Sequence, residues 1–317
     1  MSGVGEERSQ SQIERIARPT VLLETEATAE RLGVDVLLAV EAFQPTGSFK
    51  IRAAYHLARS VPNRRIITAS SGNFGQALAY ACRLLGKQCT VVMPAGSSPV
   101  KLKAVREYGG EVDVIDVARV ARMERVRELA AADPEAYVAS AFDDPLVIEG
   151  NSTLGRELAE YQDRFDVVIV PVGGGGLAAG VITGLRAHGS RAEVIGAEPL
   201  LGNDAARSLR EGRIVANDVE PDTLADGART LSVGRHPWEV LRKGLAGIVE
   251  VSEANIARGV AMLFRLANVK AEPTGALPIG ALLEDPGRFA GKRVCCVISG
   301  GNVDAQTYCR ILKDTPI

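Results

Sequence analysis

The feature that most restricts the fold is an alternation. Short runs rich in Val and Ile, "RIITAS", "QCTVVMPA", "EVDVID", "AYVAS", "DVVIVPVG", "AEVIGAEP", "GIVEVS" and "RVCCVISG", alternate with segments whose apolar residues recur at helical spacing. Those segments include "GQALAYACRLLG", "PVKLKAVREYG", "ARMERVRELAAAD", "LAAGVITGLRAHG" and "EANIARGVAMLFRLAN". A strand that is apolar along its whole length has no face for solvent, so it belongs in a parallel sheet covered by helices on both sides. The chain therefore reads as α/β. Three runs end directly in small-residue clusters: "TAS" in "SGN", "VPV" in "GGGG" and "VIS" in "GGN". Ligands of open α/β sheets bind at the carboxyl ends of strands, so these clusters predict one site assembled from distant parts of the chain. A length of 317 residues allows one large domain or two lobes. No repeat, low-complexity segment or linker marks a boundary.

Composition narrows the function mainly by exclusion. A formal net charge of −2 leaves no electrostatic footprint for nucleic acid. No apolar run is long enough to span a bilayer, so no membrane partner is expected. The opening "MSGVGEERSQSQIER" is polar and acidic, unlike a signal peptide, and a cytoplasmic location is expected. Cys82, Cys89, Cys295, Cys296 and Cys309 show no CxxC spacing and read as reduced, mostly buried thiols. Three histidines argue against a His-rich metal site, and no GxSxG elbow supports a serine triad.

Four segments carry the chemistry. In "FQPTGSFKIRAA" a turn at Pro45, Thr46 and Gly47 leads into a helical pattern for which Ser48 is a plausible N-cap. Lys50 then falls in the first helical turn, where the helix dipole disfavours a cation and depresses the amine pKa. That suits a nucleophilic or Schiff-base-forming lysine; a lysine snorkelling from a buried helix start is the plainer reading. Gly173, Gly174, Gly175 and Gly176, followed by Leu177, leave bare backbone N–H groups where a strand opens into a helix, a ready phosphate site. Gly174, Gly176 and Ala179 also satisfy G-x-G-x-x-A, with Glu198 near the spacing of a ribose-binding acid. In "ASSGNFGQALAYA", Ser70, Ser71, Gly72 and Asn73 would offer amides and hydroxyls to a carboxylate, or simply cap the helix. The loop "ISGGN" places Ser299 at the end of the last predicted strand.

Together these pieces resemble the fold-type II pyridoxal-phosphate enzymes, and within them the serine/threonine dehydratase and serine racemase group. The motifs are "PTGSFKIRAA", "SSGNFGQALA", "VVMPAGSSPVKLKAVREYGGEV", "FDDPLVIEGNSTLGRELAE", "VPVGGGGLAAG", "GAEPLLGND", "ADGART", "EPTGALPIGALL" and "VISGGNVD", in the family's order over nearly the whole chain. The resemblance implies pyridoxal 5'-phosphate as cofactor, with Lys50 bonding its aldehyde and Phe49 packing beside that lysine. Gly173 to Gly176 and Leu177 would cradle the phosphate. Asn73 would hydrogen-bond the ring hydroxyl. Ser299 would face the pyridine nitrogen, leaving the ring a weaker electron sink than a carboxylate would, which favours prompt loss of a β leaving group. Ser70, Ser71, Gly72, Asn73 and Phe74 would hold the substrate carboxylate, and Ser71 matches the acid/base of the opposite face in racemases. Glu198, the Gly202 carbonyl and Asp204 match the family's divalent-cation site, whose oxygen ligands suit Mg²⁺, Mn²⁺ or Ca²⁺. Capping of the helix "DAARSLREG" by Asn203 or Asp204 is the alternative there.

The expected reaction is α,β-elimination from a β-hydroxy amino acid of the serine, threonine or hydroxyaspartate type, giving a 2-oxo acid and ammonia through an aminoacrylate. Racemisation by Lys50 and Ser71, β-replacement and a silent cofactor-binding protein are the rivals. The resemblance also implies a homodimer and two lobes, residues 65–143 forming a small mobile lobe and residues 1–64 with 144–317 the large one. No regulatory domain is expected after "ILKDTPI". Phe74 replaces the family's usual histidine, Ser140-Ala141 stands before "FDDP" where "HP" is usual, and Asn151-Ser152 interrupts "GQGT". By analogy these positions line the substrate's side-chain end, so they imply either an altered substrate or neutral drift in loops.

Overall fold

The structure, a computed structural model, describes residues 16–70, 72–97 and 99–317. Its strands are β1 (Val21–Glu24), β2 (Asp35–Val40), β3 (Arg65–Ala69), β4 (Gln88–Pro94), β5 (Glu111–Ile115), β6 (Tyr137–Ala139), β7 (Val167–Pro171), β8 (Glu193–Pro199), β9 (Gly247–Val251) and β10 (Arg293–Ile298). They form a six-stranded sheet in the order β1-β2-β10-β7-β8-β9 and a four-stranded sheet in the order β5-β4-β3-β6. The β1–β2 pair is antiparallel, and every other pair is parallel. Each of the eight runs read as strands in the sequence is one. β1 and β2 are additional.

The strands β2, β10, β7 and β8 of the six-stranded sheet are buried on both faces, as their apolar sequences require, while the edge strand β1 is partly exposed. Leu38, Val40, Ile169, Ile195, Cys296 and Ile298 point to a core shared with the helices Glu253–Ala267 and Pro273–Glu284. Leu37, Ala39, Val168, Val170, Cys295 and Val297 point to the opposite core, built with the helices Pro145–Ala159 and Gly176–Ala187. Those two helices touch backbone to backbone: a Cβ on Gly184 would lie 2.2 Å from the Ser152 carbonyl. This contact fixes the helix that follows the glycine run. In the smaller sheet, the helix Asn73–Leu84 covers one face and Arg122–Ala132 the other.

The register of β2 matters most for the site. It runs parallel to β10 from Asp35↔Arg293 to Val40↔Ile298, so both strands end at one level. The chain beyond each then continues the pairing: Phe49 N donates to the Ser299 carbonyl (3.0 Å), Gly301 N to the Gly47 carbonyl (2.9 Å), and Ser48 bridges Gly300. This corrects the expected cap. Ser48 is held extended in that bridge, its hydroxyl has no hydrogen-bond partner, and Phe49 occupies the N-cap position of the helix Lys50–Ser60. Among the described residues, no helix is long and apolar enough to cross a membrane.

Candidate active site

Four chain segments converge at the carboxyl ends of β2, β3, β7 and β10. Lys50 is the first residue of its helix. Its Nζ donates to the Ala141 carbonyl at 2.9 Å and lies 4.8 Å from the centre of the Phe49 ring and 5.7 Å from that of Phe74. Burial pulls the amine from its ordinary 10.5 down to about 8, against the opposing pull of the Glu272 charge. A buried amine without a directly bonded carboxylate is costly to charge, and this is what makes it reactive near neutral pH. Phe74 is itself fully buried in the core beside Ile51 and Leu78, its ring turned to the lysine.

The loop after β3 supplies a helix N-terminus. Gly72 is the N-cap of Asn73–Leu84 and has no side chain to cap with. Ser70 Oγ accepts from Gly75 N at 3.0 Å, while the amides of the first turn, like those of any helix, lack intrahelical acceptors. Ser71 lies outside the described residues. Asn73 is held from two sides: its Nδ2 donates to Glu272 Oε1 (2.7 Å), and its Oδ1 accepts from Asn302 Nδ2 (2.8 Å). Ser299 is buried at the end of β10. Glu272 had no role in the sequence reading. It is 4 % exposed, and burial together with the Asp226 charge pushes its carboxyl up to about 8. Its signal was a lone acid opening the apolar stretch "EPTGALPIGALL".

The glycine run joins β7 to the helix Gly176–Ala187. Gly175 sits at φ +87°, where a side chain would be strained. A Cβ on Gly174 would lie 2.2 Å from the Phe142 ring, so the loop is bare because Phe142 packs on it. Asp143, next in sequence, accepts from His236 N at 2.9 Å and so caps the helix Arg235–Gly244, whose Leu241 and Pro237 back Gly175. Asn151 reaches the run from below, its Nδ2 donating to the Gly176 carbonyl at 3.1 Å. Gly150–Thr153 thus lies inside the helix Pro145–Ala159 and not in a loop, with Asn151 buried against the glycine run while Ser152 bonds its own helix at Glu149 O.

Glu198, the penultimate residue of β8, is fully buried, and its two oxygens accept from Ala205 N and Ala206 N, both at 2.9 Å. The acid therefore caps the helix Asp204–Glu211 across space, where Asn203 makes no side-chain cap. This arrangement also removes Glu198 from any ribose-binding role. Asp204 accepts from Asn217 Nδ2 at 3.0 Å through Oδ1, and its buried Oδ2 has no partner. Burial raises both carboxyls, that of Asp204 to about 6, and Asp204 raises Glu198 further. Among the described residues, no group of three or more His, Cys, Asp or Glu side chains is placed to hold a metal ion.

Residues 13–300 match the family described as pyridoxal-phosphate dependent enzyme. The chain belongs to that family. It is 34 % identical to the L-threo-3-hydroxyaspartate ammonia-lyase of Pseudomonas sp over 310 residues, covering 96 % of this chain and 97 % of that protein. It is 32 % identical to the serine racemase of Homo sapiens, over 90 % of this chain and 86 % of that one. The solved threonine deaminase of T.th. superposes with a TM-score of 0.86 at 38 % identity, over 94 % of this chain and 98 % of the other. The paired sheets are thus those of fold-type II pyridoxal-phosphate enzymes, as the motifs predicted. Pyridoxal phosphate fits the residues present. An amine lowered to about 8 suits its aldehyde, a side-chain-free loop at the start of a twelve-residue helix suits its phosphate, and the buried Ser299 hydroxyl offers its ring nitrogen no acid.

Proposed function

We propose that this protein is an ammonia-lyase acting on a β-hydroxy amino acid of the serine, threonine or 3-hydroxyaspartate type, eliminating water to an aminoacrylate whose hydrolysis takes up one water and releases ammonia, leaving a 2-oxo acid. The observation that carries the proposal is Lys50: a buried amine near pKa 8 between two aromatic rings, at the meeting point of the four loops. Pyridoxal phosphate, when bound, supplies the electron sink that acidifies the substrate Cα–H. Lys50 Nζ takes that proton, since its pKa lies near the working pH. The glycine run and Leu177 would hold the phosphate, Asn73 would donate to the ring oxygen, and Ser299 would face the ring nitrogen. Ser70, Gly72 and the first-turn amides of Asn73 and Phe74 orient the substrate carboxylate, with Ser71 as a further candidate for that carboxylate.

Relatives support 3-hydroxyaspartate as the first substrate to test: ammonia-lyases of that name from Pseudomonas sp and Saccharomyces cerevisiae are 34 % and 32 % identical over 96 % of the chain. Racemisation by Lys50 and Ser71 is the second reading, favoured by serine racemases at 30 % and 32 % identity. The unpartnered Asp204 Oδ2 beside Glu198 supports a divalent cation (Mg²⁺, Mn²⁺ or Ca²⁺) on Glu198, Asp204 and the Gly202 carbonyl. Residues 65–143 are proposed as a small mobile lobe, since the strands of the four-stranded sheet all lie between residues 65 and 139. We further propose a cytoplasmic homodimer without nucleic-acid or membrane partners.

The test adds L-serine, L-threonine, both 3-hydroxyaspartate diastereomers and a β-aryl serine singly to the purified protein with pyridoxal phosphate. A shift of the visible band accompanied by 2-oxo acid is expected for at least one. Products that form only when a thiol or amine is also supplied would replace elimination by β-replacement. Inversion of configuration without oxo acid would make the enzyme a racemase.

A further inference from the structure

We propose that Glu272, with its charge set by Lys101 and Asp226, is a positioning residue that orients the Asn73 amide and controls whether Lys50 carries a proton. The inference rests on the reading of Lys50 as the reactive amine. Asn73 is fixed by partners of opposite kind. Its carbonyl oxygen accepts from Asn302 Nδ2, which also donates to the Thr46 carbonyl at 2.8 Å, and its amide nitrogen donates to Glu272. A flipped amide would set two NH₂ groups against each other and oxygen against oxygen. One N–H of Asn73 is left over, and it is the donor available to an anionic ligand oxygen.

Glu272 is held as closely. Its backbone N donates to the Gly300 carbonyl at 3.0 Å, and a Cβ on Gly300 would stand 2.6 Å from its Oε1. The charged groups facing the carboxyl come from three elements: Lys50 at the start of its helix, Asp226 in the turn Asp226–Ala228, and Lys101 on the helix Pro99–Glu107. Lys101 and Asp226 are paired with each other across the two sheets' layers. Burial and the like charge of Asp226 favour the protonated acid, whereas Lys101, Asn73 and Lys50 favour the carboxylate. Lys50 in turn is lowered by burial and raised by Glu272. Two such groups share protons as a pair. At one total charge the proton sits either on Nζ, with Glu272 ionised, or on the carboxyl, with Lys50 a free base. Glu272 when protonated thus leaves Nζ a free base, and when ionised stabilises the ammonium formed once Nζ has taken a proton from Cα.

The signs separate this role from a structural one. Glu272→Gln keeps an acceptor for Asn73 but removes the charge that raises Lys50, so the lysine pKa falls. Asp226→Asn removes the like charge and frees Lys101 to face Glu272. The acid then ionises more readily and the Lys50 pKa rises. Lys101→Met does the reverse and lowers it. The experiment pulse-acetylates the cofactor-free full-length chain over a pH series and reads modification of the Lys50 peptide by mass spectrometry, alongside cofactor affinity. Half-labelling is expected at lower pH in Glu272→Gln and Lys101→Met and at higher pH in Asp226→Asn, with cofactor affinity kept in Glu272→Gln. Half-labelling at an unchanged pH in the variants, or movement of Asp226→Asn in the same direction as Lys101→Met, would overturn the proposal. The latter two are partly exposed and carry the test if Glu272→Gln does not fold. Because labelling needs no turnover, a missing lyase activity would count against the proposed function alone.

Discussion

Lys50 and Arg52 stand two residues apart on one helix, and both are cations withdrawn from water, yet their surroundings push them in opposite directions. Arg52 is 1 % exposed and wrapped by carboxylates: Nε and Nη2 reach the two Glu41 oxygens at 2.7 and 2.9 Å, and Nη1 and Nη2 reach those of Glu157 at 2.6 and 3.0 Å. Thr20 and Thr153 accept from the same guanidinium. Its pKa is raised although burial alone would lower it. Lys50 is bonded to one carbonyl oxygen and otherwise meets two aromatic rings, so burial wins and its pKa drops. Desolvation is common to both. The partner decides whether a buried cation is locked as a strut or left as a reagent, and the planar fork of arginine suits the first task as the single amine of lysine suits the second. The strut serves the reagent, because the Arg52 network ties the start of the helix to the ends of β2 and of Pro145–Ala159.

The sharpest break in this comparison is Lys50→Ala. It is expected to lower lyase turnover by at least about a thousandfold while leaving the melting temperature nearly unchanged, as checked by product assay and thermal unfolding. Arg52→Ala should do the opposite, stranding Glu41 and Glu157 and costing about 3–5 kcal/mol of stability, measured by urea unfolding. A third check is amine reactivity: Lys50 should reach half-maximal acetylation near pH 8, below the ordinary lysine value of 10.5. The smallest expected effect is at the phosphate loop. Gly174→Ala forces Phe142 aside and should weaken cofactor affinity roughly tenfold, or about 1.4 kcal/mol, measured by fluorescence titration.

Much of this was legible in the sequence because the informative residues are constrained locally. Short Val/Ile-rich runs set between helical segments favour strands, and the four glycines of "VPVGGGG" favour a bare turn into a helix. The strands β1 and β2 escaped because "VLLE" is four residues long and "DVLLAV" is as apolar as a buried helix turn, with no alternation to separate the two. Ser48 was misread as a cap because its bridge to Gly300 is made 252 residues away in sequence. The same distance hid Glu272 and Asn302, whose roles exist only once β2 and β10 end side by side. The alternative of neutral drift in a loop does not describe Asn151, because an uninterrupted helix carries it to the glycine run. What sequence conveys least is partnership across the sheet, and the charge state of Lys50 depends on that.

The most direct test of the central claim reduces the cofactor-loaded protein with borohydride and locates the pyridoxyl mass by peptide sequencing. The account predicts that mass on Lys50 and on no other lysine. A pyridoxyl group found elsewhere, or absent from a protein shown to bind the cofactor, would contradict it.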